Sequence, residues 1–125
     1  MNLQEAYNTA RTHLLAQKER ATLDPNEPDV GCAYRSPNGL KCAIGALIPD
    51  ELYDSIIEDR GVYGCRKDHP LEGSRKLWEI LNELGLSEHI YALHELQRIH
   101  DETNPDEWKA ELDEFAVSYH LEVAA

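Results

Sequence analysis

The stretch CAYRSPNGLKCAIG, residues 32–45, decides how the first third of the chain folds. Its centre, SPNG at residues 36–39, fits a type I turn followed by a glycine in the left-handed region, which is typical of a three-residue hairpin loop. We therefore predict a β-hairpin over residues 31–44 that closes between Ser36 and Leu40.

This register sets which side chains of the hairpin face each other. Arg35 lies opposite Lys41, and Cys32 lies opposite Ile44. Side chains alternate between the two faces of a strand pair, so the two cations share one face, and the other face carries Cys32, Tyr34, Cys42 and Ile44. Cys32 and Cys42 are then diagonal neighbours with β-carbons roughly 7 Å apart, which disfavours a disulfide.

Like charges directly opposite each other are unfavourable, so the pairing of Arg35 with Lys41 needs a compensating anion. A carboxylate of the same chain would supply it in an internal salt bridge, an interpretation favoured by the many acidic residues. Alternatively, an external phosphate or ligand carboxylate would bind there. Under that second interpretation, the anion-binding residues are Tyr34, Arg35, Lys41 and Tyr53, with a tyrosine near the base of a nucleotide.

Length and composition indicate one globular domain over residues 1–125. Of these residues 42% are hydrophobic and 29% charged, which is ordinary for a folded protein with a substantial core. No apolar run approaches the roughly 18 residues that span a bilayer, and the N-terminal stretch lacks the apolar segment of a signal peptide. We therefore expect a cytoplasmic protein whose three cysteines are reduced thiols.

The predicted fold class is mainly α (α+β), with about five helices and the one small hairpin. The first helix covers residues 2–22, and a short one begins at Pro49, with Asp50 and Glu51 at its positive end. The remaining helices cover residues 74–86 and 88–102 and the segment from Pro105 to Tyr119. Helical spacing predicts that their buried side chains are Leu77, Trp78, Leu81, Leu84, Ile90, Leu93, Leu96, His100, Trp108, Leu112, Phe115 and Tyr119.

Two end signals support these boundaries. Gly85 followed by Leu86 matches a glycine C-cap with its hydrophobic contact. Asn104 with Glu107 matches a capping box that opens the last helix. Residues 22–31, with two prolines, are predicted to form a loop.

Acidic residues dominate the charge of the chain. Twenty-four acids and twelve bases give a net charge of -12, which disfavours binding to nucleic acids and to anionic membranes. Residues 88–125 contain ten of the acids and two of the bases. Such a surface suits a basic partner, including the nucleic-acid-binding groove of another protein.

The segment DETNPDEWKAELDE, residues 101–114, concentrates this charge, with seven acids and one base. It is interpreted either as a solvated helix face or as a surface that mimics phosphates and docks on a cationic groove. The candidate protein-binding residues are Asp101, Glu102, Asp106, Glu107, Glu111, Asp113 and Glu114.

Patterns of catalytic and metal sites are weak. A structural zinc site has four ligands, a number that is matched by Cys32, Cys42, Cys65 and His69. The paired C-x2-C spacing of such sites is absent. There is no G-x-S-x-G, Walker or dinucleotide-binding motif, and a histidine such as His100 is more typical of a hydrogen-bonded core. We predict no catalytic residue, no metal and no cofactor, and keep a metal- or thiol-dependent enzyme as an alternative.

The run at residues 32–45, continued by LIPDE and Tyr53, resembles small proteins encoded by bacteriophages and prophages. Their pattern is similar to C-x-Y-R-x-x-x-G-x-K-C-A-I-G-x-L-I-P-D-E-x-Y, and no activity is established for it. The resemblance implies an accessory factor made inside a host cell. Acidic proteins of that kind include inhibitors of CRISPR, restriction and nucleotide-signalling defences.

These observations predict a non-enzymatic, phage-type accessory protein that binds and inhibits a host defence component through its acidic surface. The expected partner is a host protein with a basic nucleic-acid-binding surface, and direct binding of nucleic acid or membrane is not expected. The alternative is a small-ligand-binding protein that sequesters a nucleotide signal at Arg35 and Lys41, which requires a pocket lined by the hairpin. The apolar stripes of the helices are not sustained heptads, so the sequence permits a homo-oligomer but does not predict one.

Overall fold

A computed structural model of the chain describes residues 1–24, 26–27 and 31–123. Within these residues the α-helices are α1 Leu3–Gln17, α2 Glu72–Glu83, α3 Ile90–Glu102 and α4 Trp108–Ser118. Single turns of 3₁₀-helix occur at Gly45–Leu47, Ser55–Ile57, Ser87–His89 and Pro105–Glu107. The mainly α class is therefore confirmed.

The predicted count of about five helices is wrong, because the segment after Pro49 forms no α-helix. The backbone N–H groups of Leu52 and Tyr53 donate to the Pro49 carbonyl at 3.0 and 3.1 Å, which makes one isolated turn. A short 3₁₀ turn, Ser55–Ile57, follows it. Asp50, expected at a helix N-terminus, instead binds Arg35.

The predicted β-hairpin over residues 31–44 is also wrong as an extended element, although its turn is present. The Ser36 N–H donates to the Leu40 carbonyl at 2.8 Å, and Arg35 and Lys41 form an isolated antiparallel bridge. Cys32, however, pairs with Thr22 and not with Ile44. In the part of the chain that the structure describes, no run of residues forms a named strand.

Gly45 explains why the second strand stops. A β-carbon placed on this residue would lie 1.9 Å from the backbone oxygen of Tyr34. The chain therefore turns back over Tyr34 immediately after Cys42 and continues as a 3₁₀ turn. Only glycine permits backbones to approach this closely.

Helix α1 is shorter than the predicted residues 2–22. It begins with a capping box between Asn2 and Glu5 and ends at Gln17, followed by the cap residue Lys18, whose φ of 60° is left-handed. Beyond it, residues 21–23 pair with residues 31–33 through bonds such as Ala33 N–H to the Ala21 carbonyl, 3.0 Å. Residues 25 and 28–30 of the predicted loop lie outside the described residues.

Of the two predicted helix-end signals, one is confirmed and one is wrong. Leu86 N–H donates to the Leu81 carbonyl at 2.8 Å and Gly85 has a φ of 79°, so the glycine C-cap is confirmed. The Asn104 side chain caps nothing, and Pro105–Glu107 forms a 3₁₀ turn before α4 starts. The predicted capping box is therefore wrong.

The core is a cluster of buried side chains to which all four helices contribute. Of the twelve predicted core residues, Trp78, Leu84, Ile90 and Tyr119 are only partly buried, and Ile80, Ala92, Ile99 and Ala116 are buried as well. Helix α4 packs between α1 and α3, with the ring centroids of Trp108 and His100 5.4 Å apart. Among the described residues, none of the helices has the length and apolar character needed to cross a bilayer.

Candidate functional site

The guanidinium of Arg35 is engaged by its own chain. Its Nη1 lies 2.9 Å from Oδ1 of Asp50, and its Nη2 donates to the Ile48 carbonyl at 2.8 Å. The group also lies over the ring of Tyr53, 4.4 Å from the ring centroid. The internal salt bridge that we favoured for this cation is therefore present, with Asp50 as the carboxylate.

Glu58 completes this turn cluster, which we define as Tyr34, Arg35, Asp50, Tyr53 and Glu58. The Glu58 carboxylate accepts the backbone N–H groups of Tyr34 and Arg35 at 2.8 and 3.1 Å and the hydroxyl of Tyr53 at 2.5 Å. Burial, together with this bond, raises the pKa of Tyr53. The structure thus brings three of the four predicted anion-binding residues together around anions of the chain itself.

Tyr34 and Lys41 are also held by the fold. Tyr34 is buried and donates its hydroxyl to the carbonyl of Arg60, and burial raises its pKa. The backbone N–H and C=O of Lys41 are both bonded to the side-chain amide of Gln17, at 2.9 and 2.8 Å. Its ammonium forms no ion pair within the described residues, so this cation is available to solvent.

A second polar cluster was not predicted from the sequence. The ligand-type atoms of Cys32, His100 and Asp101 all lie within 4.8 Å of one another. His100 is fully buried; its Nε2 accepts the N–H of Ala21 at 3.1 Å, and its Nδ1 lies 2.7 Å from Oδ1 of Asp101. The same Asp101 oxygen accepts from the Gln97 amide at 2.8 Å. We name Cys32, Gln97, His100 and Asp101 the His100 cluster.

The hydrogen bonds of the His100 cluster do not suit a metal ion. Because Nε2 of His100 accepts a backbone N–H, the ring proton lies on Nδ1, the nitrogen that faces Cys32 and Asp101. Burial, and then the adjacent Asp101 carboxylate, raises the pKa of the Cys32 thiol to about 12. Metals bind unprotonated imidazole nitrogen, so the Nδ1 atom that faces this cluster is in the wrong protonation state to be a ligand.

The thiols are also poor nucleophiles in this fold. Burial raises the pKa of Cys65 to about 11 and that of Cys42 further still. Little thiolate forms at neutral pH under these conditions. Within the described residues, Cys32, Cys42, Cys65 and His69 do not converge as a set of metal ligands.

A cleft of about 370 Å³ lies beside the His100 cluster. Its walls include Arg60, His94 and Arg98 together with Asp59 and Glu102, so cations and anions both face it. Tyr34 and Cys32 also line the cleft, whereas Arg35 and Lys41 do not. This cleft therefore does not lie at the predicted cation pair.

The seven acids predicted to bind a protein divide into two groups. Asp101 belongs to the His100 cluster, Glu102 lies 3.5 Å from Arg98, and Asp113 lies 3.4 Å from Arg11 and 3.2 Å from Lys109. The other four form no ion pair within the described residues and remain open to water to varying degrees. These unpaired acids are Asp106, Glu107, Glu111 and Glu114.

A groove of about 630 Å³ between α3 and α4 receives two of these unpaired acids, Glu111 and Glu114. Tyr91 and Tyr119 also line it, and the side chain of Tyr91 is 65% exposed. Burial, and then the nearby Glu95, raises the pKa of Tyr119. Tyr91 was not among the predicted binding residues; its signal in the sequence is an aromatic residue on α3 outside the buried stripe.

Comparisons of the chain with protein-family models, with curated proteins and with solved structures give no match.

Proposed function

We propose that this chain is a non-enzymatic, bacteriophage-type accessory protein that binds and inhibits a host defence protein. The partner carries a basic surface of the kind that holds nucleic acid, and the acidic face of α4 and the turn before it occupies that surface. Binding takes place in the cytoplasm of the host cell. CRISPR effectors are one class of protein with such a surface.

The close spacing of unpaired acids carries this proposal. Asp106, Glu107, Glu111 and Glu114 lie within nine residues of one another, and none has a cationic partner among the described residues. Carboxylates left close together repel each other, a cost that a cationic partner would relieve on binding. Complementary charge of this kind mainly accelerates association and selects the partner.

The two alternative functions receive less support. A nucleotide-binding function would need a free Arg35, but its guanidinium bonds to Asp50, to the Ile48 carbonyl and to the face of Tyr53. A thiol enzyme would need a thiolate, and burial raises the pKa of Cys32 to about 12 and of Cys65 to about 11.

Salt-dependent capture tests the proposal. The tagged chain is mixed with lysate of host cells at 50 mM and 500 mM salt, and each captured protein is purified and tested again by size-exclusion chromatography. The triple variant Glu107→Lys, Glu111→Lys, Glu114→Lys is expected to lose the complex, and high salt is expected to weaken it by about 100-fold or more.

The matched control is Glu51→Lys, Glu79→Lys, Glu83→Lys, which changes the net charge equally at exposed glutamates elsewhere. It should keep most of the binding. A reconstituted complex that is indifferent to salt and to the α4 triple variant would exclude the electrostatic mechanism.

A further inference from the structure

We propose that the groove between α3 and α4 binds an arginine side chain of the partner, presented next to an apolar residue on a basic amphipathic segment. This inference rests on the proposed function, since it specifies how the acidic face selects its partner. It assigns the recognition to the groove and not to the whole charged surface.

The groove combines an apolar floor with a charged rim. Ile99 and Phe115 are buried core residues that reach its base, and the rings of Tyr91 and Tyr119 stand along it. Glu111 and Glu114 add carboxylates from α4. An exposed aromatic ring beside unpaired carboxylates is the environment in which a guanidinium stacks and forms charged hydrogen bonds at once.

The opposite rim already holds a guanidinium that pairs with carboxylates. Arg98, on α3, places its Nη2 2.9 Å from Glu95 and its Nη1 3.5 Å from Glu102. This cation is therefore engaged on the α3 side, and the carboxylates on the α4 side of the groove have no cationic partner among the described residues. A planar guanidinium fits such a site better than an ammonium, because it stacks on tyrosine and binds carboxylates with two N–H groups.

The groove has room for more than one side chain. Its volume of about 630 Å³ exceeds what a single arginine fills, and the buried residues Ile99 and Phe115 reach its base. Val117 is 75% exposed and lies three residues after Glu114, so it shares that side of α4. An amphipathic segment supplies both the cation and the apolar neighbour. The acidic rim disfavours phosphates, which excludes nucleic acid and anionic lipid.

The probe is a labelled 12-residue peptide of arginine, leucine and alanine with an amphipathic pattern, titrated into the full chain and followed by fluorescence anisotropy. We expect Glu111→Gln, Glu114→Gln to weaken binding about ten-fold or more, and Tyr91→Ala to weaken it about two- to five-fold. The control Asp106→Asn, Glu107→Gln removes two neighbouring charges outside the groove and should weaken binding by less than about three-fold. A peptide with citrulline for arginine should not bind measurably.

The possible outcomes separate this inference from the proposed function. Equal losses for the two double variants would show binding to general negative charge, which overturns the groove and leaves the acidic face as the binding surface. Equal binding of the citrulline peptide, or no binding of the arginine peptide, also overturns the groove. Loss of the host complex in the α4 triple variant, measured separately, supports the acidic face in either case.

Discussion

The turn cluster and the acidic face of α4 treat charge in opposite ways. Around Arg35, the Asp50 carboxylate pairs with the guanidinium, and the Glu58 carboxylate accepts two backbone N–H groups. On α4, Glu111 and Glu114 have no cationic partner within the described residues. Charges in the first region are used by the fold, whereas those in the second are the ones that we propose to bind a partner. Charge density alone therefore does not identify a binding surface.

Replacing Glu58 should give the largest loss of stability among these tests. Glu58→Leu leaves the N–H groups of Tyr34 and Arg35 without their acceptor and should lower the free energy of unfolding by about 3 kcal/mol. Urea denaturation measures the loss. Glu58→Gln keeps one acceptor oxygen and should lose less, and Glu51→Leu, at an exposed neighbour, should change stability little. If the Glu51 and Glu58 variants are equally stable, then the turn cluster does not hold the fold.

The Cys32 thiol gives a second test, through its protonation. Its pKa rises from 9.0 to about 12 on folding, so the native state binds this proton more tightly than the unfolded state. Its contribution to stability is therefore complete below pH 9.0 and is lost as the pH rises toward 12. At pH 8, iodoacetamide should label native Cys32 about 100-fold or more slowly than the unfolded chain.

Mass spectrometry of the labelled peptides follows each cysteine separately. A Cys32→Ala variant should show a smaller loss of melting temperature above pH 9.0 than the parent chain. Rapid labelling of Cys32 in the folded protein would contradict the proposed thiol state and would reopen the thiol-enzyme alternative.

The smallest expected effect is a difference in stability between variants of two neighbouring acids of α4. Asp113→Asn breaks contacts to Arg11 and Lys109 and should cost about 0.5 kcal/mol, whereas Glu114→Gln breaks none within the described residues and should leave stability unchanged or slightly raised. Thermal denaturation at low salt measures the difference in stability between the two variants. A greater loss for Glu114→Gln would mean that this carboxylate serves the fold and not a partner.

Local chemistry explains which parts of the fold could be predicted. The SPNG turn and the pairing of Arg35 with Lys41 depend on a few adjacent residues, as does the Gly85 C-cap. The extent of the hairpin depends instead on how Gly45 meets Tyr34 and on the pairing of Cys32 with Thr22. Neither contact leaves a periodic signal in the sequence.

The candidate sites were predictable only in part for the same reason. Seven acids in residues 101–114 are visible in the sequence, as is Lys109, which pairs with Asp113 four residues along α4, but the second partner of Asp113 is Arg11, near the other end of the chain. The His100 cluster likewise joins α3 to Ala21 and Cys32 across long sequence separations. Which charges stay unpaired is therefore a property of the tertiary structure.

Gly45 gives the run CAYRSPNGLKCAIG a structural meaning. The absence of a side chain at this position lets two backbones touch, and the bond from the Arg35 backbone N–H to Glu58 holds the same corner. In this chain, the residues of the run thus fix the shape of one corner of the scaffold.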